Sequence, residues 1–136
     1  MKKKFLIVIA NYYEGISKDL LNSALKLIPK SNIIKIIKVP GVFEIPITIS
    51  KNIKKYDAFL ALGCVIKGET PHFDYISKTT FDAIMKLSID FKKPIGNGII
   101  TALNIKQAKA RSSAGKNKGR ESARAVLSIL GNLKNE

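Results

Sequence analysis

Cysteine and histidine each occur once in this 136-residue chain, at Cys64 and His72, and tryptophan does not occur. A single thiol excludes an internal disulfide and cannot make a zinc site alone, so the sequence points to the cytoplasm and to no metal. Acidic residues are scarce as well, ten against 24 lysines and arginines, which leaves a formal charge of +14. Long apolar runs are missing, so no membrane span and no membrane partner is expected. The start MKKKFLIVIANYYEG has basic residues before an apolar run, but FLIVIA falls short of the roughly 7–15 apolar residues of a signal peptide. It reads as a buried strand. Arginine is sparse too: Arg111, Arg120 and Arg124 stand against 21 lysines, whereas base readout and planar phosphate recognition favour arginine. With 21 isoleucines and nine asparagines alongside, the basicity reads as a bias toward Lys, Ile and Asn, and no nucleic-acid partner is expected.

What is present alternates short apolar runs with longer amphipathic stretches. KFLIVIA (4–10) has the continuous apolar character of a strand covered on both faces. Ser17 is a candidate cap for a helix over KDLLNSALKLI, which Pro29 stops. NIIKIIKV (32–39), DAFLALGCVI (57–66) and PIGNGIIT (94–101) are the further strands. Helices are predicted from Phe43 to about Ile53, from Phe73 to Phe91, from Asn104 through Arg111, and from Arg120 to Leu133. The expected fold is a single α/β domain over 1–136. It is a three-layer α/β/α sandwich of flavodoxin-like type, with a four-stranded parallel sheet of order 2-1-3-4.

Ligands of such sheets sit outside the carboxyl ends of the strands, where loops converge and helix amino termini present free N–H groups. The unusual residues fall there: Tyr12 after the first strand, Val42, Phe43 and Glu44 after the second, Glu69, Thr70 and His72 after the third, and Asn97 within the fourth. Together they have the makeup of a pocket for a flat, hydroxyl-bearing ligand. Each also has a structural reading. Tyr12 and Phe43 can cap the core, Glu44 can complement a helix dipole, Thr70 can cap the following helix, and Cys64 can be a small buried hydrophobe. His72, in a glycine-containing turn at the ligand edge, is the candidate acid-base group.

VPGVFEIP (39–46), ALGCVIKGETPHFDY (61–75), the NGIIT segment and KNKG before an alanine-rich helix resemble the lumazine synthase family, and the likeness covers nearly the whole chain. The resemblance implies condensation of a ribitylaminouracil amine with 3,4-dihydroxy-2-butanone 4-phosphate to 6,7-dimethyl-8-ribityllumazine, with release of phosphate and water and no cofactor. It implies His72 for proton transfer and Glu69, Thr70 and Arg111 around the phosphate. Tyr12 would lie against the uracil, with Val42, Phe43, Glu44, Cys64, Val65 and Ile66 along the ring edge and ribityl chain, and Lys118 at a pyrimidine carbonyl. It also implies a homopentamer in which Asn97, Arg111 and Lys118 complete a neighbour's pocket, and it names riboflavin synthase as a candidate partner. With the first strand beginning near Lys4, a free pentamer is expected before a capsid.

Three features depart from the family pattern. The arginine common before the first aromatic is Asn11 here, Asn97 stands where many members have phenylalanine, and the loop after Arg111 is one residue shorter. Three readings from other classes compete. They are a flavodoxin-like module that binds flavin or phosphate without turnover, a hydrolase built on Cys64 and His72, and a basic nucleic-acid binder.

Overall fold

The computed structural model describes residues 2–113 and 115–131. Four strands, β1 (Lys4–Ala10), β2 (Ile33–Val39), β3 (Ala58–Ile66) and β4 (Ile95–Ala102), form one parallel sheet in the order β2-β1-β3-β4. Five helices connect and cover them: α1 (Glu14–Leu27), α2 (Ile45–Asn52), α3 (His72–Phe91), α4 (Ile105–Ser112) and α5 (Lys118–Ile129). This is the α/β/α sandwich with the expected strand order. The predicted extension of the last helix to Leu133 reaches past the described residues, and among those α5 ends at Ile129.

Side-chain alternation along the strands builds two cores. Phe5, Ile7 and Ile9 of β1 and Leu60 and Leu62 of β3 pack with Ile16 and Leu20 of α1 and Val126 and Leu127 of α5. Leu6 and Val8 with Phe59 and Ala61 pack on the other face, against Ile45 and Ile49 of α2 and Ile84 of α3. β1 and β3 are therefore apolar on both faces, as central strands of a covered parallel sheet must be. β2 lies at an edge, and only Val39 of its seven residues is buried.

Local reading misplaced several boundaries. Ser17 lies inside α1 rather than capping it; its hydroxyl donates to the carbonyl of Ala10 at 2.6 Å, tying the helix to the end of β1. Thr70 does not cap α3 either, because Pro71 occupies the cap position. The helix predicted from Phe43 is a short 3-10 turn, Val42–Glu44, running into α2. Asn104 does cap α4, its Oδ1 accepting the Gln107 N–H at 2.9 Å.

Candidate active site

β3 is longer than the strand beside it. Its pairing with β1 runs only as far as Ile9 opposite Leu62, whereas its pairing with β4 continues to Ile66 opposite Ala102. Cys64, Val65 and Ile66 thus extend beyond β1, and the backbone edge they turn toward the loop after β1 has no strand partner among the described residues. Such an edge offers unpaired N–H and C=O groups to a planar ligand. Gly63, just before the overhang, permits close approach: a Cβ there would lie 2.9 Å from Val42 Cγ1 and 3.0 Å from Ala10 Cβ.

The overhang floors a cavity of about 520 Å³, whose walls include Tyr12, Val42, Phe43, Glu44 and His72. Tyr12 and Phe43 are 76% and 58% exposed, so neither is a core cap. Both present apolar faces at the cavity. Tyr13 braces Tyr12 edge-on, with ring centroids 4.9 Å apart. Glu44 has a local role, because its Oε1 accepts the Gly41 N–H at 3.0 Å and holds the 3-10 turn closed. Its second carboxylate oxygen takes no hydrogen bond from the described residues, which leaves it for a ligand hydroxyl.

Burial separates the two candidate reactive side chains of this cavity. Cys64 is 7% exposed, and burial pushes its thiol up to about 11. A nucleophilic cysteine needs the opposite shift, so the hydrolase reading loses its nucleophile. Burial also raises the Tyr13 phenol, with Cys64 and then Tyr12 adding to the effect. His72 is exposed and opens α3, a 20-residue helix whose amino-terminal N–H groups favour anions. Thr70 Oγ1 accepts the His72 N–H at 3.4 Å, so the Thr70 hydroxyl proton points elsewhere. Glu69 and Thr70 lie on the exposed turn before His72, outside the lining of the cavity.

Asn97, Arg111 and Lys118 are not in this cavity. They line a second one, about 480 Å³, along the outer edge of β4 with Phe81, Thr101, Lys116 and Glu121. Gly96 and Gly98 explain the Gly-Asn-Gly sequence: a Cβ on either would collide with Ser122 of α5, so their absence of side chains lets α5 lie close to β4. Asn97 Oδ1 accepts the Ile99 N–H at 3.1 Å. Arg111 Nη1 donates to the Thr101 carbonyl at 2.5 Å, which holds the guanidinium at the strand edge.

The family model for 6,7-dimethyl-8-ribityllumazine synthase matches residues 2–134. The chain belongs to this family. The 6,7-dimethyl-8-ribityllumazine synthase of Bartonella bacilliformis is 44% identical over 131 residues, 92% of this chain and 86% of the relative. A 6,7-dimethyl-8-ribityllumazine synthase of Rhodopseudomonas palustris is 41% identical over 136 residues, 93% and 83% of the two chains. Several lining residues of this lumazine synthase family member were not among the expected site residues: Tyr13 and Ile76 in the first cavity, Phe81, Thr101, Lys116 and Glu121 in the second. The Tyr12-Tyr13 pair was a visible signal for one of them. Lys116 opens the KNKG segment quoted for the resemblance, whereas Glu121 carried no signal, since a charge in a first helical turn is ordinary. No helix among the described residues is long and apolar enough to cross a membrane.

Proposed function

We propose that this chain condenses 5-amino-6-(D-ribitylamino)uracil with 3,4-dihydroxy-2-butanone 4-phosphate to 6,7-dimethyl-8-ribityllumazine, the penultimate step of riboflavin biosynthesis. The observation that carries the site assignment is the single cavity lined by Tyr12, Val42, Phe43, Glu44, the Cys64–Ile66 overhang and His72. Its exposed aromatic faces suit a flat pyrimidine, and the free edge of β3 suits the pyrimidine's alternating donors and acceptors. The unused oxygen of Glu44 accepts ribityl hydroxyls.

The chemistry is a sequence of proton transfers. The uracil's 5-amino group attacks the ketone and loses water as an imine, phosphate leaves by elimination, and the second amine closes the ring with loss of a further water. Each step needs a group that gives and takes protons near neutral pH, and His72 is the imidazole at the cavity wall. The phosphate sits at the amino terminus of α3, beside Glu69 and Thr70, where backbone N–H groups, the Thr70 hydroxyl and the helix dipole favour a dianion. These steps draw on no cofactor.

Asn97, Arg111 and Lys118 then serve the neighbouring chain. The reading is a cytoplasmic homopentamer in which the β4 edge of one protomer closes the cavity of the next, a heterologous contact that closes as a ring. Arg111 gives the phosphate a charge-assisted bond, Lys118 meets a pyrimidine carbonyl, and Asn97 supplies an amide where a ring is common in the family. Riboflavin synthase is the proposed protein partner. Incubation with the two substrates tests the function. Lumazine absorbance and fluorescence, with one phosphate released per lumazine, are expected; substrates left unchanged would overturn it.

A further inference from the structure

The cavity along β4 contains a lysine with no task in the reading above. Lys116 lies in the loop between α4 and α5 and lines the same cavity as Arg111, Lys118 and Glu121. The carboxyl end of that loop is firmly held. Asn117, the next residue, is 3% exposed. Its Nδ2 donates to the Ser112 carbonyl at 2.7 Å and to the Asp19 carbonyl at 3.2 Å, while its Oδ1 accepts the Arg120 N–H at 3.0 Å. One amide thus joins α1, the end of α4 and the start of α5. The Lys116 N–H adds a bond to the Ser113 carbonyl at 3.3 Å. These bonds hold the backbone at Lys116, so recruiting its ammonium costs side-chain entropy and desolvation but little backbone entropy.

Charge gives the lysine a purpose. Three cations, Arg111, Lys116 and Lys118, face one carboxylate, Glu121, leaving two positive charges around the cavity. A phosphate monoester carries about −1.5 to −2 near neutral pH. Without Lys116 the β4 edge would bring one net positive charge, beside the partial charge of the α3 amino terminus, to the dianion. The shortfall would be felt at the phosphate, because Lys118 is engaged at the pyrimidine and Arg111 shares its guanidinium with the Thr101 carbonyl.

We propose that Lys116, on the loop pinned by Asn117, is a second cation for the substrate phosphate beside Arg111. This rests on the reading that Arg111 takes that phosphate. The test compares wild type, Lys116→Ala and Lys116→Arg as full chains in two assays: titration with inorganic phosphate, and steady-state kinetics with each substrate varied. Lys116→Ala is expected to weaken inorganic phosphate binding and to raise the KM for the phosphate substrate about three- to tenfold, several times more than the KM for the uracil. Lys116→Arg should restore most of both.

Unchanged phosphate affinity in Lys116→Ala, equal rises in both KM values, or a wild type that does not bind inorganic phosphate would overturn the proposal. The functional reading fails separately. A wild type that binds phosphate through Lys116 yet forms no lumazine would sink the proposed reaction while keeping Lys116 as an anion ligand.

Discussion

His72 and Arg111 line different cavities of the same chain. His72 belongs to the cavity floored by the β3 overhang, and Arg111 to the one along the outer edge of β4. In the proposed chemistry both act on one substrate, the histidine on its protons and the arginine on its phosphate. The two should therefore respond differently to removal.

His72→Ala should lower kcat roughly 10²–10⁴-fold while leaving the KM for the uracil within a few-fold, since a general acid-base group contributes about that much to turnover and little to ground-state binding. Stopped-flow and steady-state lumazine formation read it. Unchanged kcat would make His72 a structural residue at the start of α3.

Arg111→Ala removes a charge-assisted contact instead. The KM for the phosphate substrate should rise on the order of tenfold or more, corresponding to roughly 1.5–3 kcal/mol, with a smaller effect on the uracil. An equal rise for both substrates would contradict the phosphate role.

Cys64 carries a pH signature. Its thiol is raised to about 11 from the usual 9.0 by burial, so between those values the folded state holds a proton that the unfolded state has released. The contribution is fully present below pH 9 and is lost as pH rises toward 11, by up to about 2 kcal/mol. Urea unfolding of wild type and Cys64→Ala from about pH 8 upward should show wild type losing ground to the variant across that window. Parallel curves would contradict the shift. Near neutral pH Cys64→Ala should keep most activity, because the thiol has no chemical task.

Gly119 follows Lys118 and lies against α1. A Cβ there would run into the backbone of Leu20, which a rotamer change cannot relieve. Gly119→Ala should cost about 2–4 kcal/mol of stability in urea unfolding. A loss under about 0.5 kcal/mol, the range of ordinary surface changes, would show that α1 and α5 shift apart freely.

Much of this was legible in the chain. FLIVIA and the 58–62 run are apolar at every position, as a strand covered on both faces requires, and the alternation of strands with helices implied a parallel sheet. The floor of the first cavity came from the family resemblance alone: in GCVI the apolar pattern shows a strand running into the GETPH turn, not which of its residues outrun the neighbouring strand. What local pattern could not show was partnership over distance. Ser17 has the right residue type for a cap, but its hydroxyl goes to Ala10 once α1 starts at Glu14. Glu121 and Lys116 become cavity residues only after α5 folds down on Gly96 and Gly98. The division of the candidate residues between two cavities follows from β4 lying at the sheet edge, with β3 between it and β1.

That division is tested most directly by subunit mixing. His72→Ala chains, nearly inactive, and Arg111→Ala chains, reduced to about a tenth of wild type or less at low phosphate substrate, are unfolded together in equal amounts, refolded, and assayed for lumazine formation. If each site takes His72 from one chain and Arg111 from its neighbour in a ring, about a quarter of the sites regain both residues, and activity should recover to about that fraction of wild type. Activity no greater than the average of the two separately refolded variants, with mixed assemblies present by native mass spectrometry, would contradict the shared site.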